Sequence, residues 1–418
     1  MMVEVVCIRY DDLVAACSKE DDININRLIE QAFSTTGLGL LAITEVPHHL
    51  LTNQRLQLLR LSQRLATLPP SQLEEITDHA SSYQVGWSHG REKLEGSKLD
   101  YSKGSFYANP LTENLVETML ERRCITDAGD DSDLAEWDKS LSIISTDLEL
   151  RSLAITNPAF FAPNIWPTEH LPNLQSTFRE VGQFIHTVGM MVAKCCDMYV
   201  STVCPTYIPV LERTVRHSKC CKGRLLHYFP SSSTAAVEVD DVTPGTPGTM
   251  KAQEEDDDTQ FSNWCGWHND HGSLTGLLPA LYLDVNGNIV EPAPDPKAGL
   301  YIKARNGQLV HAKLPPNSIA YQIGETAQIH TGGILKATPH AVRGCSNSNN
   351  NISRETFAVF MEPEYHSTMS LPEWRTLADT QCVEDEKYLP QSVKTLRSRW
   401  KLGMTFGEFS NATFAAFH

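Results

Sequence analysis

The chain has no run of apolar residues near the roughly 18 needed to cross a bilayer, so no membrane span is expected. It has no CxxC pair and no regular cysteine framework. Its 11 cysteines are scattered and include the adjacent pairs Cys195-Cys196 and Cys220-Cys221. An odd count without a framework argues against a disulfide scaffold and for reduced thiols in an intracellular compartment. Positive charge is also scarce. Lys and Arg number 35 against 51 Asp and Glu, a net charge of −16. Non-specific binding to nucleic acid or to anionic membranes needs basic surface, so both partners are excluded at this level. The stretch Met1 to Val6 has neither a basic n-region nor a long apolar run. Neither a secretory signal nor a transit peptide is expected there, and a cytoplasmic location is. No internal repeat is visible.

What is present fits a globular protein. At 418 residues, with 41% hydrophobic and 21% charged residues, the chain can build one large domain or two ordinary ones. Ile25, Leu28, Ile29, Ala32 and Phe33 recur at helical spacing before Gly37. Leu38 to Ile43 reads as a short buried strand. Leu58, Leu61, Leu65 and Leu68 mark a helix ended by Pro69-Pro70. Leu174, Phe178, Val181, Ile185, Val188 and Val192 form one continuous stripe, so a long helix should pack there on a sheet.

After about Lys222 the texture changes to short apolar runs between turn-rich segments. Leu225 to Pro230, Gly272 to Leu283, Gly299 to Ala304, Ser318 to Gly324, Thr338 to Arg343 and Thr356 to Met361 read as strands of a sandwich or barrel. Ser231 to Gln260, rich in Ser, Thr, Pro and acids, reads as a mobile acidic surface loop. Ser346 to Asn351 reads as a polar hairpin tip. The expected organisation is a mixed helix and strand region over 1–125, a connecting segment with the long bracing helix over 126–200, the β-rich core over 201–370 with its insertion at 231–260, and a helical tail over 371–418.

The chemistry is concentrated in Trp267-His268-Asn269-Asp270-His271-Gly272. In a strand, side chains two apart share a face, so His268 and Asp270 can grip one metal ion while His271 points away. Lys336-Ala337-Thr338-Pro339-His340 offers a second imidazole on another strand-like run. Two histidines and one carboxylate with other positions open suit non-haem Fe(II). Further on, Arg354 and Thr356 share one face of the run Ser353 to Phe360. A guanidinium pairs bidentately with a carboxylate, and the nearby hydroxyl can add a third hydrogen bond. Together they form a receptor for the far carboxylate of a dicarboxylic co-substrate.

These residues resemble the 2-oxoglutarate and Fe(II)-dependent dioxygenases, specifically the isopenicillin N synthase-like group. The family pattern appears as His268-Asn269-Asp270-His271-Gly272, Ile323-Gly324-Glu325, Thr331-Gly332-Gly333, Lys336-Ala337-Thr338-Pro339-His340 and Arg354-Glu355-Thr356. In the first half, Gly37 to Ile43 and Gly86-Trp87-Ser88-His89-Gly90-Arg91-Glu92 are similar too. The resemblance implies an α+β fold with a double-stranded β-helix (jelly roll) core braced by helices. It implies Fe(II) on His268, Asp270 and His340, with 2-oxoglutarate on Arg354, Thr356 and Tyr228. It also implies an O2-dependent oxidation of a small organic metabolite, most simply a hydroxylation, that releases succinate and CO2. One departure stands out. The family's Asn-Tyr-Tyr-Pro strand reads His227-Tyr228-Phe229-Pro230, and Phe229 cannot donate the second tyrosine's hydrogen bond. Trp267, Phe360 and His227 are further pocket candidates, and Glu325 is expected to be a turn or cap residue.

Two other readings use the same residues. One is an Fe(II) oxidase that does without 2-oxoglutarate, favoured by Phe229 and opposed by Arg354. The other is a non-catalytic binding protein on the same scaffold. The expected partner is a small-molecule substrate, with the chain a monomer or weak dimer.

Overall fold

The computed structural model describes residues 5–19, 22–92, 99–128, 146–230, 265–344, 351–373, 375–380, 388–390, 392–393 and 399–417. The acidic insertion and the hairpin tip expected from the sequence lie outside the described residues, apart from Asn351 at the tip's end.

The architecture is a mixed α and β fold of two sheets with helices against the larger one. The larger sheet takes strands from both halves of the chain. From the first half come β1 (Val6–Arg9), β2 (Leu40–Thr44), β3 (Gly86–His89) and β4 (Lys103–Ala108). From the second half come β5 (Cys221–Tyr228), β7 (Leu274–Leu277), β8 (Leu281–Leu283), β11 (Ile319–Ile323) and β13 (Ser353–Met361). Their order is β1-β2-β11-β7-β13-β5-β4-β3, with β8 also on β13. Only β1 and β2 run parallel; the other pairings in this sheet are antiparallel. The smaller sheet has the order β10-β9-β12-β6, from β6 (Cys265–His268), β9 (Gly299–Lys303), β10 (Leu309–His311) and β12 (His340–Arg343). All the second-half runs expected as strands therefore contain strands, while β1, β3, β4 and β10 were not legible.

Period-two alternation decides which side of the large sheet each residue serves. Leu41, Ile43, Leu225, Tyr321, Phe357 and Val359 join the core beneath the helices. Their neighbours Leu40, Leu226, Tyr228 and Ala320 face the other way and pack with Leu300, Ile302, Val310 and Val342 of the small sheet. The space between the sheets is thus lined by one residue in two from each strand, and both sheets contribute to it.

The helix expected from the apolar stripe is Leu174–Val203. All six stripe residues are buried, each contributing roughly 2 kcal/mol of apolar burial. Gly189 lets this helix approach β13 closely, since a Cβ there would lie 2.4 Å from the Met361 sulfur. The hydroxyl of Tyr321 on β11 donates to the Ile185 carbonyl at 2.8 Å, tying sheet to helix. Asp197, near the end of the helix, accepts from the Tyr207 hydroxyl and from the backbone N–H groups of Leu211 and Glu212. It thereby caps the next helix, Leu211–His217. Among the described residues no helix is long and apolar enough to cross a membrane.

Candidate metal centre

His268 closes β6 and His340 opens β12. The two are direct partners across an antiparallel pair, so their side chains share one face of the small sheet. The strand explanation for Asp270 needs correcting: β6 stops at His268, and Asp270 comes from the turn that follows. Its Oδ1 lies 3.9 Å from His268 Nε2 and 3.8 Å from His340 Nε2. One ligating atom from each of the three residues falls within 4.8 Å of the others. Asp270 and His340 are buried, while His268 keeps 26% of its side chain accessible.

The turn is fixed from behind by Ile323-Gly324-Glu325. The Glu325 N–H donates to the Asp270 carbonyl at 2.8 Å and the Thr326 hydroxyl to the His271 carbonyl at 2.6 Å. Gly324 is required here, because a Cβ would sit 2.0 Å from the Gly272 carbonyl oxygen. The Glu325 side chain accepts from Asn269 Nδ2 at 3.4 Å and from Arg399 Nη2 at 3.1 Å. It is therefore a brace for the turn carrying Asp270, anchored to the C-terminal segment.

The donor set fits a divalent cation. His268 Nδ1 faces the Gly266 carbonyl at 2.8 Å, and His340 Nδ1 faces the Thr338 carbonyl at 3.4 Å. A carbonyl only accepts, so each Nδ1 carries the proton and each Nε2 is directed toward Asp270. Asp270 Oδ2 is buried and has no hydrogen-bond partner among the described residues, a costly state for a carboxylate that a cation would relieve. Burial, aided by neighbouring His268, pushes His340 down to about 4, which keeps it in the neutral, ligating form. Burial opposes ionisation of Asp270, yet the two imidazoles hold its carboxyl below the usual range. For His268, burial works downward, but negative charge on the Cys265 sulfur and on Asp270 raises it to about 9, so without a cation Nε2 also holds a proton beside Asp270, which a metal ion would displace.

Arg354, on β13, is buried and lies on the face toward the small sheet. Its cross-strand partners are Tyr228 and Tyr282, and its guanidinium carbon sits 4.9 Å over the Tyr228 ring. Thr356 shares that face, but its hydroxyl donates to the Leu278 carbonyl at 2.9 Å, which commits its proton to the backbone. Phe229 packs on the opposite side with the helix-side core, its ring 4.4 Å from His227 and 4.7 Å from His89. A hydroxyl there would not face Arg354, so the departure at 229 costs that face nothing.

The other candidates divide. His227 points to the helix side and pairs with Glu355 at 2.8 Å. Trp267 packs on the outer face of the small sheet with Ala341, Tyr301 and Leu309. Phe360 shares the Arg354 face, opposite Thr275 and Lys222. His271 stacks on Phe406 at 5.7 Å, away from the other two imidazoles.

Two features were missed. The register of β6 on β12 shifts between His340 and Val342, so β6 carries an extra residue in a β-bulge. That bulge brings Cys265 onto the His268 face, sulfur to Nδ1 3.8 Å; the exposed Gly266 between them was the available signal. The second is a polar cluster on β4 and β5. Lys103 Nζ meets Glu92 at 3.1 Å and also pairs with Asp100. Arg224 pairs with Glu92 and donates to Ser105 at 3.0 and 2.8 Å. The i, i+2 spacing of Lys103, Ser105 and Tyr107 was the trace it left in the sequence.

No protein family and no curated protein matches the chain by sequence. Solved structures do match in fold. A full-length Neurospora crassa protein in complex with alpha-KG and 5-formyluracil matches with TM-score 0.54 and 15% identity, over 99% of this chain and 96% of that one. A Caulobacter crescentus protein assigned to the 2OG-Fe(II) oxygenase family matches with TM-score 0.55 and 15% identity, over 98% of each chain. JOX2 in complex with 2OG, Fe and JA matches with TM-score 0.53 and 14% identity, over 100% of this chain and 90% of that one. The expected resemblance to 2-oxoglutarate and Fe(II) oxygenases thus holds at the level of fold, across essentially the whole chain.

Proposed function

We propose that this chain is an Fe(II)- and 2-oxoglutarate-dependent dioxygenase that oxidises, most simply hydroxylates, a small organic metabolite on a double-stranded β-helix core. The observation that carries this reading is the convergence of His268, Asp270 and His340, with both Nδ1 atoms turned to carbonyls and a buried carboxylate oxygen left unsatisfied. These three residues would hold the metal. Arg354, stacked on Tyr228, would hold the distal carboxylate of 2-oxoglutarate. Thr356 serves mainly to fix the strand through Leu278, with its oxygen at the edge of that subsite.

When bound, Fe(II) and 2-oxoglutarate supply the oxidising power by activating O2, with succinate and CO2 as by-products. The chain supplies the rest. Asp270 neutralises charge in a buried setting. The carbonyls of Gly266 and Thr338 fix both imidazole tautomers. Arg354 gives direction through a planar fork. The apolar residues between the sheets exclude water from the reacting region. Arg354 favours this reading over an oxidase that needs no co-substrate.

The small-molecule substrate is supported by the fold matches, since the Neurospora crassa protein was also solved with thymine and JOX2 with JA. A cytoplasmic location is part of the same reading, supported by the free cysteines of the described residues. The test is succinate release by purified protein with Fe(II), ascorbate and 2-oxoglutarate across a metabolite panel. Product made at full rate without 2-oxoglutarate would select the oxidase. No turnover and no metal binding would select the binding protein.

A further inference from the structure

Two cysteines from distant parts of the chain meet on the helix side of the large sheet, away from the metal residues. Cys17 directly follows the helix Tyr10–Ala16, which the buried Leu13 and Ala16 hold against the core. Its N–H donates to the Leu13 carbonyl at 3.1 Å, so that helix sets its backbone. Cys195 lies in the long helix Leu174–Val203 and is fully buried. The Cys17 sulfur faces this helix, 3.7 Å from the Met191 carbonyl oxygen. Within an α-helix a carbonyl accepts the N–H of the residue four further on, which for Met191 is Cys195. Helical side chains lean back over the preceding turn, so the Cys195 thiol leans toward the place that Cys17 occupies. The two side chains interact there. Lys194 Nζ donates to the Cys17 carbonyl at 2.7 Å and ties the two segments at a second point.

The two thiols differ in access and in charge. Cys17 keeps part of its surface open to solvent, whereas Cys195 has none. The Cys195 contact first, and then the Lys194 charge, outweigh burial and hold the Cys17 thiol below its usual range. The thiolate is the nucleophilic form, so Cys17 is the reactive member. A reachable, activated thiol beside a protected one is the arrangement of an attacking and a resolving cysteine. The pairs adjacent in sequence do not offer it. Cys220 and Cys221 pack into different cores. Cys196 is buried and turned about 100° around the helix from Cys195.

We infer that Cys17 and Cys195 form a reversible disulfide site, closed by a peroxide-class oxidant, that staples the N-terminal helix to the long bracing helix. The Cys17 thiolate takes one peroxide oxygen. An S–O bond forms, the O–O bond breaks, and the other oxygen takes up a proton and leaves as water or an alcohol. The Cys195 sulfur then attacks the Cys17 sulfur. The S–S bond forms, the S–O bond breaks, and water leaves with the Cys195 proton. Two electrons pass from the two sulfurs to the peroxide. The closed loop spans much of the first half of the chain, so the bond stabilises chiefly by restricting the unfolded state. The metal residues take no part, and the site is independent of the function proposed above.

The test treats the reduced full-length chain with a slight excess of hydrogen peroxide, blocks the remaining thiols with N-ethylmaleimide and maps tryptic peptides without reduction. A link between peptides 10–19 and 195–213 should be the major disulfide product. It should persist in Cys196→Ser and vanish in Cys195→Ser and in Cys17→Ser. Oxidation should raise the melting temperature of the native chain by about 5 °C, reversed by dithiothreitol. The same treatment should leave Cys17→Ser unchanged, and this partly exposed position carries the test if Cys195→Ser fails to fold. A Cys17 that stays reduced or ends as a sulfinic acid, with Cys195 still open to alkylation after unfolding, would overturn the inference. So would a link that survives in Cys195→Ser, or a linked chain that melts no higher than the reduced one.

Discussion

Replacing Arg354 by lysine keeps a positive charge on β13 and removes the fork. Arg354 is 5% exposed and its guanidinium lies 4.9 Å over the Tyr228 ring. A lysine ammonium would offer one good contact to a carboxylate where the guanidinium offers two. A hydrogen bond between charged groups contributes about 1.5–3 kcal/mol, and weakening the stack on Tyr228 costs up to about 1 kcal/mol more. The expected loss is about 2–3 kcal/mol, or roughly 30- to 150-fold in 2-oxoglutarate affinity. Calorimetric titration of 2-oxoglutarate into Mn(II)-loaded protein without oxygen reads this directly. Arg354→Met, which drops the charge as well, should weaken binding further. The Mn(II) affinity of both variants should stay within threefold of the native value, since Arg354 is not among the three metal donors. An Arg354→Lys protein that bound 2-oxoglutarate as tightly as the native chain would remove Arg354 from this role.

Three other outcomes follow from the structure. Glu325→Ala removes the acceptor of Asn269 and leaves buried Arg399 without its carboxylate; metal affinity should fall about 10- to 100-fold, and an unchanged Mn(II) titration would show that the turn needs no such brace. His186 and His330 are both buried and pushed down to about 4 by burial. The unfolded chain takes up these protons near pH 6.5 and the folded one only near 4, so stability should fall as pH drops across that window. Each site accounts for up to about 3 kcal/mol. Urea unfolding of His186→Gln between pH 7 and 4 should show a shallower slope, and an unaltered slope would acquit His186. Asp197→Ala leaves the N–H groups of Leu211 and Glu212 without their acceptor. It should cost about 2–3 kcal/mol in chemical denaturation, and a loss below 0.5 kcal/mol would mean that the cap is replaced.

The sequence carried the parts governed by short-range periodicity. The stripe from Leu174 to Val192 identified the bracing helix because 3.6-residue spacing survives in the letters. The runs around Leu225, Ile319 and Phe357 identified strands because both faces of the large sheet are buried. Spacing also brought His268 together with Asp270, although for an incomplete reason: a turn braced by Gly324 and Glu325 delivers the carboxylate, and no pattern within the motif says so. What stayed hidden depended on pairing between distant segments. β3 and β4 look like polar loop sequence, because Lys103, Ser105 and Tyr107 face an interior cluster completed by Glu92 and Arg224. Phe229 read as a loss only because nothing local shows which face of the sheet it takes. The bond from the Thr356 hydroxyl to the Leu278 carbonyl stayed hidden because its acceptor is 78 residues away.

On the reading proposed here, His268, Asp270 and His340 form one divalent-metal site. Anaerobic Fe(II) titration of the native chain beside Asp270→Ala, followed by calorimetry at neutral pH, tests it most directly. One ion per native chain is expected, with a loss of at least a hundredfold in the variant and metal-free melting temperatures within a few degrees of each other. An Asp270→Ala chain that bound Fe(II) with native stoichiometry and affinity would contradict it.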